Sequence, residues 1–133
     1  MREILFKGKR TDNGEWIEGF YSNELYSHKH YISKWYYGSY AELQRFEVIP
    51  ETAGQYTGRK DKNGVKMYEG DIVKGLFKYS QPVNSVVDFR DGSFGLRWYW
   101  GNVEMFWAFP SICNVEYEVI GNIHDNPELL EAK

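Results

Sequence analysis

His28 and His30 stand two residues apart, a spacing that on a β-strand points both imidazoles to one side, where they could hold a metal ion. A transition-metal site needs three or four ligands with supporting contacts, and His124 is remote in the chain with no pattern to bring it near. Glu69 and Asp71 share the same spacing, which suits acid–base or two-metal work when a partner group faces them. Asp71, directly after Gly70, reads more simply as a residue that caps its own turn. Asp12-Asn13-Gly14 and Asp61-Lys62-Asn63-Gly64 resemble fragments of a calcium loop. Aligning Gly14 or Gly64 with the loop glycine, however, puts Lys9 or Arg59 at the first ligand position, where a cation cannot serve. The single cysteine, Cys113, has no partner for an intramolecular disulfide and reads as a small buried hydrophobe. An acid-x-lysine step of the nuclease kind occurs only as Glu131-Ala132-Lys133 in the tail. No phosphate-cradling glycine loop with lysine, no Gly-x-Ser-x-Gly and no Cys-x-x-Cys is present. The chain therefore reads as a non-enzyme, with no metal and no cofactor expected.

Binding chemistry is better represented. Ser22 to Tyr40 mixes Ser, Tyr, His, Lys and Gly, with Tyr31-Ile32 as its one clear strand fragment, and reads as a long surface excursion. Its candidate binding residues are Lys29, Tyr31, Lys34, Trp35, Tyr36, Tyr37 and Tyr40. Exposed aromatic anchors dominate protein interfaces, so the leading expectation is a protein partner, either a host or phage protein or a second copy of the chain. The alternative is single-stranded nucleic acid, with bases stacking on the rings and lysines following the backbone. Glu24, Glu42 and a net charge of −3 weigh against that alternative. A purely structural reading gives the same rings the task of covering the core or packing against another subunit.

The elements that must carry these residues are short strands. The chain has 133 residues, enough for one domain that buries about two thirds of its unfolded surface. An aromatic share of 18% with 13 glycines favours strands and tight turns over helices. Asp12-Asn13-Gly14 lies between Ile4-Leu5-Phe6 and Trp16 to Tyr21, a strong hairpin signal, with Lys7, Lys9 and Arg10 at its open end. Leu43 to Ile49 predicts a strand closed by Pro50, and an N-terminal β half ends near residue 54. A junction over 55–73 follows, built on the structural motif Asn63, Gly64, Glu69, Gly70 and Asp71. Ile72-Val73 opens a strand running towards Tyr79 and ended by Pro82. Val86 to Phe89 and Phe94 to Trp100 form a hairpin around Asp91-Gly92, with Phe94, Leu96, Trp98 and Trp100 on one face. Gly101-Asn102 turns into Val103 to Phe109, stopped by Pro110, and Tyr117 to Ile123 is the last strand. The fold class predicted is all-β: an N-terminal β-hairpin region, then a C-terminal half over about 70–125 as a small SH3-like barrel. A short helix over 127–131, capped by Asn126, is appended. Asn-Gly followed by Glu-Val-Ile occurs in both halves, a weak sign of duplication.

Gln55-Tyr56-Thr57-Gly58, Asp61-Lys62-Asn63-Gly64 and Tyr68-Glu69-Gly70-Asp71-Ile72-Val73, in this order, resemble the YopX family of phage and prophage proteins. Ile4 to Arg10 with Asp12 to Trp16 is similar to the family's start, and Glu118 to Leu130 to its end, so the resemblance spans almost the whole chain. Lys7 and Met67 depart mildly, standing where Arg and Ile are expected. The blocks Ser22 to Tyr40 and Leu76 to Val87 match no family motif. The resemblance implies a phage-encoded, cytoplasmic, β-rich accessory protein of a family with no established activity. The start of the chain lacks a signal-peptide core, and no window approaches eighteen apolar residues, so no membrane association is expected.

Overall fold

Turn chemistry sets the first hairpin. Gly14 takes φ 73° and donates its amide to the Arg10 carbonyl at 3.0 Å, while the Arg10 amide reaches the Glu15 carbonyl at 2.8 Å. The computed structural model describes residues 3–77, 83–109 and 115–130. Tyr79, Pro82, Pro110, Cys113, the Glu131-Ala132-Lys133 step and the Trp100 side chain lie outside the described residues. The chain divides into two units, Met1–Tyr56 and Thr57–Lys133.

The first unit contains β1 (Phe6–Lys9), β2 (Trp16–Asn23), β3 (His30–Tyr37) and β4 (Ala41–Val48), in the spatial order β4-β3-β2-β1. Next to β1 enters β5 (Gly54–Lys60), through the pairs Phe6↔Gln55 and Lys7↔Gly54. Ser22 to Tyr40 is therefore no long excursion but the end of β2, a turn and the whole of β3 within an antiparallel meander. The strand was hard to see because β3 runs past the core. Ile32 is fully buried, whereas Lys34 to Tyr37 are all exposed, so the second half shows no apolar alternation. β2 pairs with β1 over Trp16 to Gly19 and with β3 over Phe20 to Asn23. Gly19 marks the change of partner. A Cβ there would sit 2.2 Å from the Ser33 carbonyl oxygen, so only glycine lets the two backbones approach.

The meander closes on itself at its ends. Arg10 bridges to Val48, the Ile49 amide donates to the Lys9 carbonyl at 2.8 Å, and the Thr11 amide donates to the Glu47 carbonyl at 3.1 Å. Buried Thr52, in the 3₁₀ turn Pro50–Thr52, accepts from the Lys9 amide at 2.9 Å and donates to the Ile49 carbonyl at 2.6 Å. Inside lie Ile17, Ile32 and Val48, with Phe6, Tyr21 and Phe46 packed against them.

In the second unit β5 lies beside β6 (Lys66–Tyr68). A five-stranded antiparallel sheet follows, made of β7 (Asp71–Phe77), β8 (Val83–Arg90), β9 (Ser93–Trp100), β10 (Val103–Ala108) and β11 (Val115–Asn122). Its order is β10-β9-β8-β7-β11. Met67, Val73, Val87, Leu96 and Phe109 form the core, with Phe94, Trp98, Tyr117 and Val119 against it. The all-β class holds, but the barrel expected here is not closed: among the described residues no ladder joins β10 to β11. The physical reason is at the edge of β11, where Lys62 donates its amide to the Tyr117 carbonyl at 3.0 Å and the Val119 amide donates to Asp61 Oδ2 at 2.9 Å. A turn already occupies the edge that closure would use.

Asp61 is buried, and its carboxylate accepts three backbone amides: Asn63 and Val65 on Oδ1, each at 2.8 Å, and Val119 on Oδ2. Burial works to raise its pKa, but these three donors and nearby Lys62 prevail and hold it below the usual carboxylate range. Asp71, also buried, accepts the Tyr68 amide at 2.9 Å. Gly64 and Gly70 take φ 81° and 88°. The 3₁₀ turn Pro127–Leu130 is not a free appendage, because Asn84 Nδ2 on β8 donates to the Leu129 carbonyl at 2.8 Å. Asn126 Oδ1 points back to accept from the Asn122 amide at 3.2 Å. Among the described residues no helix is long and apolar enough to cross a membrane.

Two outcomes follow for stability. Asp61→Ala should cost about 2–3 kcal/mol at neutral pH, because it strands buried amide donors. The wild-type advantage should be full above the unfolded carboxylate pKa of about 3.9 and fade as pH falls through the lower folded value. Urea titrations of both proteins across that range check this, and an advantage that persists in acid would refute it. Gly70→Val should destabilise more than Gly64→Val. Both incur about 1–2 kcal/mol for the left-handed backbone. At Gly70, however, a Cβ already stands in ordinary contact with His124 Nε2 at 3.6 Å and Ile123 Cγ1 at 3.8 Å, so the valine methyls beyond it would crowd these side chains, whereas Gly64 faces open space. Equal midpoints in chemical denaturation would contradict the ranking.

Candidate partner-binding face

The β3–β4 ladder runs from His30↔Val48 to Tyr37↔Ala41, and strand alternation sorts the seven candidate residues. Ile32 fixes the core face, which Lys34 and Tyr36 share. Tyr31, Trp35 and Tyr37 lie on the outer face with Arg45 and Leu43, opposite partners of Ser33 and Trp35. Trp35 is 44% exposed, Leu43 49% and Tyr37 81%. Phe20, opposite Ser33 on β2, extends this patch. Tyr40 is exposed in the turn between β3 and β4.

The structure thus puts Tyr31, Trp35 and Tyr37 on one face of β3 and Lys34 and Tyr36 on the other. Tyr36 lies edge-on to Phe46, with centroids 6.4 Å apart, and the Lys34 ammonium stands 5.8 Å from the Tyr36 ring centre. Lys29 pairs with Glu47 at 3.7 Å. Tyr31 is held between the Arg45 guanidinium, 3.9 Å over its ring, and Glu24, which accepts from its hydroxyl at 3.1 Å. Leu43 and Phe20 are members of the patch that residue types alone did not mark. Their signal was the strand parity, which becomes readable only with β3 recognised as a full strand.

The remaining chemistry-bearing side chains are engaged locally. His28 sits in the turn before β3 with φ 58°, so it does not share the strand geometry that would align it with His30. The His30 Nδ1 shares a hydrogen bond with the Tyr21 hydroxyl, whose pKa burial raises. Asp71 is buried and accepts the Tyr68 amide at 2.9 Å, which holds its own turn. Arg10 grips Asp12 through two bonds, at 2.9 and 2.6 Å, and its guanidinium lies 4.4 Å over the Phe46 ring. On β8 to β10, Asp88 accepts from Arg90 at 3.1 Å and from Arg97 at 3.2 Å, and Glu104 pairs with Arg90. These partly exposed pairs compensate one another's charge on a solvated face. Among the described residues no group of three His, Cys, Asp or Glu side chains converges as metal ligands would.

Fold and face together define a small all-β protein of two antiparallel units with a cluster of solvent-facing rings on the meander of the first. Its family follows from the chain as a whole. The family model described as YopX protein matches residues 5–131, and the chain belongs to the YopX family. Among solved structures it is similar to the crystal structure of protein EF1440 from Enterococcus faecalis. The identity is 25% and the TM-score 0.57, over 98% of this chain and 100% of that one. Comparison with the curated proteins finds no match.

Because Trp35 and Tyr37 stand outside the core, Trp35→Ala and Tyr37→Ala should each change stability by no more than about 0.5 kcal/mol. Ile32→Ala, which empties a fully buried site, should cost about 2–5 kcal/mol. Thermal melts of the three variants check the assignment of faces, and a large loss in Trp35→Ala would place that ring in the core.

Proposed function

We propose that this YopX-family chain is a phage-encoded, cytoplasmic, non-enzymatic accessory protein that binds a protein partner on the outer face of β3 and β4. The observation that carries the reading is the one-sided pairing of Lys34 to Tyr37. These residues bond to β4, while β2 pairs with β3 only as far as Ser33. Among the described residues no strand pairs with the other edge of Lys34 to Tyr37, beside Trp35, Tyr37 and Leu43, and an extended segment of another protein adds as a strand at such an edge. Main-chain bonds would supply affinity along the edge, and the rings would select alternate side chains of the partner. Strand parity also supports a protein over single-stranded nucleic acid. It places Lys34 on the face opposite Trp35, and Lys29 has Glu47 beside it at 3.7 Å, so rings and lysines do not interleave along one track.

The test is capture from host and phage lysates by the wild-type chain and by the double variant Trp35→Ala/Tyr37→Ala. Truncating such anchors costs about 2 kcal/mol or more, roughly thirtyfold in affinity, so the captured protein should be lost while the melting curve stays put. A partner retained equally by both proteins would overturn the assignment of this face. Binding of a labelled oligonucleotide that weakens steeply with salt would replace it with the nucleic-acid reading.

A further inference from the structure

The second unit holds a shallow pocket of about 160 Å³ lined by Thr57, Arg59, Ser93, Phe94 and Phe109. It takes Thr57 and Arg59 from β5, on either side of Gly58. Gly58 takes φ 86° and breaks the regular run of β5, and the Arg59 amide donates to Thr57 Oγ1 at 3.1 Å. The Thr57 oxygen is thereby used as an acceptor, and its own hydrogen remains available to donate. The Arg59 guanidinium lies 5.0 Å from the centre of the Phe109 ring, which steadies the cation at the pocket. Among the described residues neither a carboxylate faces Arg59 nor a hydrogen-bond partner meets the Ser93 hydroxyl. Most other arginines here are matched: Arg10 by Asp12, and Arg90 and Arg97 by Asp88. One unmatched guanidinium, two hydroxyl donors and two phenyl rings around a small hollow are the complement of an anion with an apolar carrier.

We propose that this pocket binds a small oxyanion, phosphate or carboxylate, borne on an aromatic or apolar group that lies against Phe94 and Phe109. Arg59 neutralises and orients the anion, and Thr57 and Ser93 donate to its oxygens. The site is separate from the β3–β4 face and stands or falls without it.

The experiment follows amide shifts of the ¹⁵N-labelled full chain during titration with phenyl phosphate, benzoate and inorganic phosphate. The expected result is saturable movement at Thr57 to Arg59 and Ser93 to Phe94, with a dissociation constant of about 1 mM for whichever aromatic anion fits better. Inorganic phosphate, lacking the ring, should bind at least about tenfold more weakly. Preference for phenyl phosphate assigns phosphate as the anion, and preference for benzoate assigns a carboxylate. Arg59→Gln should weaken binding at least about tenfold and Arg59→Lys less, with distant shifts unchanged. Should Arg59→Gln disturb Phe109, Ser93→Ala provides the second reading, with an expected loss of roughly threefold. Shifts that never saturate, or that are equal in wild type and both Arg59→Gln and Ser93→Ala, would overturn the proposal.

Discussion

The carboxylate of Asp61 ties together pieces of the second unit that are far apart in the chain. With one oxygen it shapes the turn between β5 and β6 through Asn63 and Val65, and with the other it holds Val119, 58 residues further on. Three amides directed at one buried carboxylate satisfy donors that would otherwise be stranded, and this outweighs the cost of taking the charge out of water. The same turn lays Lys62 along β11 at Tyr117. A strand edge that could attract another chain is thereby covered, and the sheet stays open with β10 as the bare edge among the described residues.

The two units reach order by different means. The first relies on short turns and on close backbone approach at Gly8 and Gly19, where a side chain would meet Val48 or the Ser33 carbonyl. The second relies on buried acids, Asp61 and Asp71, that hold turns from within. The first unit also carries solvent-facing rings on one sheet face, and the second a small polar hollow.

Much of the fold could be read from turn chemistry. Asn13-Gly14, Asn63-Gly64, Gly70 and Asp91-Gly92 all take the left-handed backbone at their glycines, and Phe94, Leu96 and Trp98 alternate onto the core as their spacing implies. β3 was not readable, because a strand that overhangs its core keeps aromatic residues on both faces and loses the apolar period. The reach of Asp61 to Val119 was not readable either, since a contact across 58 residues leaves no local trace. The closure expected of the C-terminal half is not formed among the described residues. The bridge Arg10↔Val48 depends on Gly8 admitting Val48 and on Thr52 completing the corner, features that no periodicity records. For the binding face, Trp35 and Tyr37 were legible as residue types, while Leu43 and Phe20 required the register.

The seam between Arg10 and Val48 also determines how the first unit breathes. It rests on one bridge flanked by the Thr11 and Ile49 amides, whereas the ladder around Ile32 is paired on both sides over the buried core. Separation at the seam breaks fewer backbone bonds than opening of the ladder, so it belongs nearer the low-energy end of the unit's fluctuations. Thr11 and Ile49 should surrender their amide hydrogens to solvent through such local opening, long before Ile32 does so by unfolding of the whole meander. The unit is in this respect a ring with a clasp.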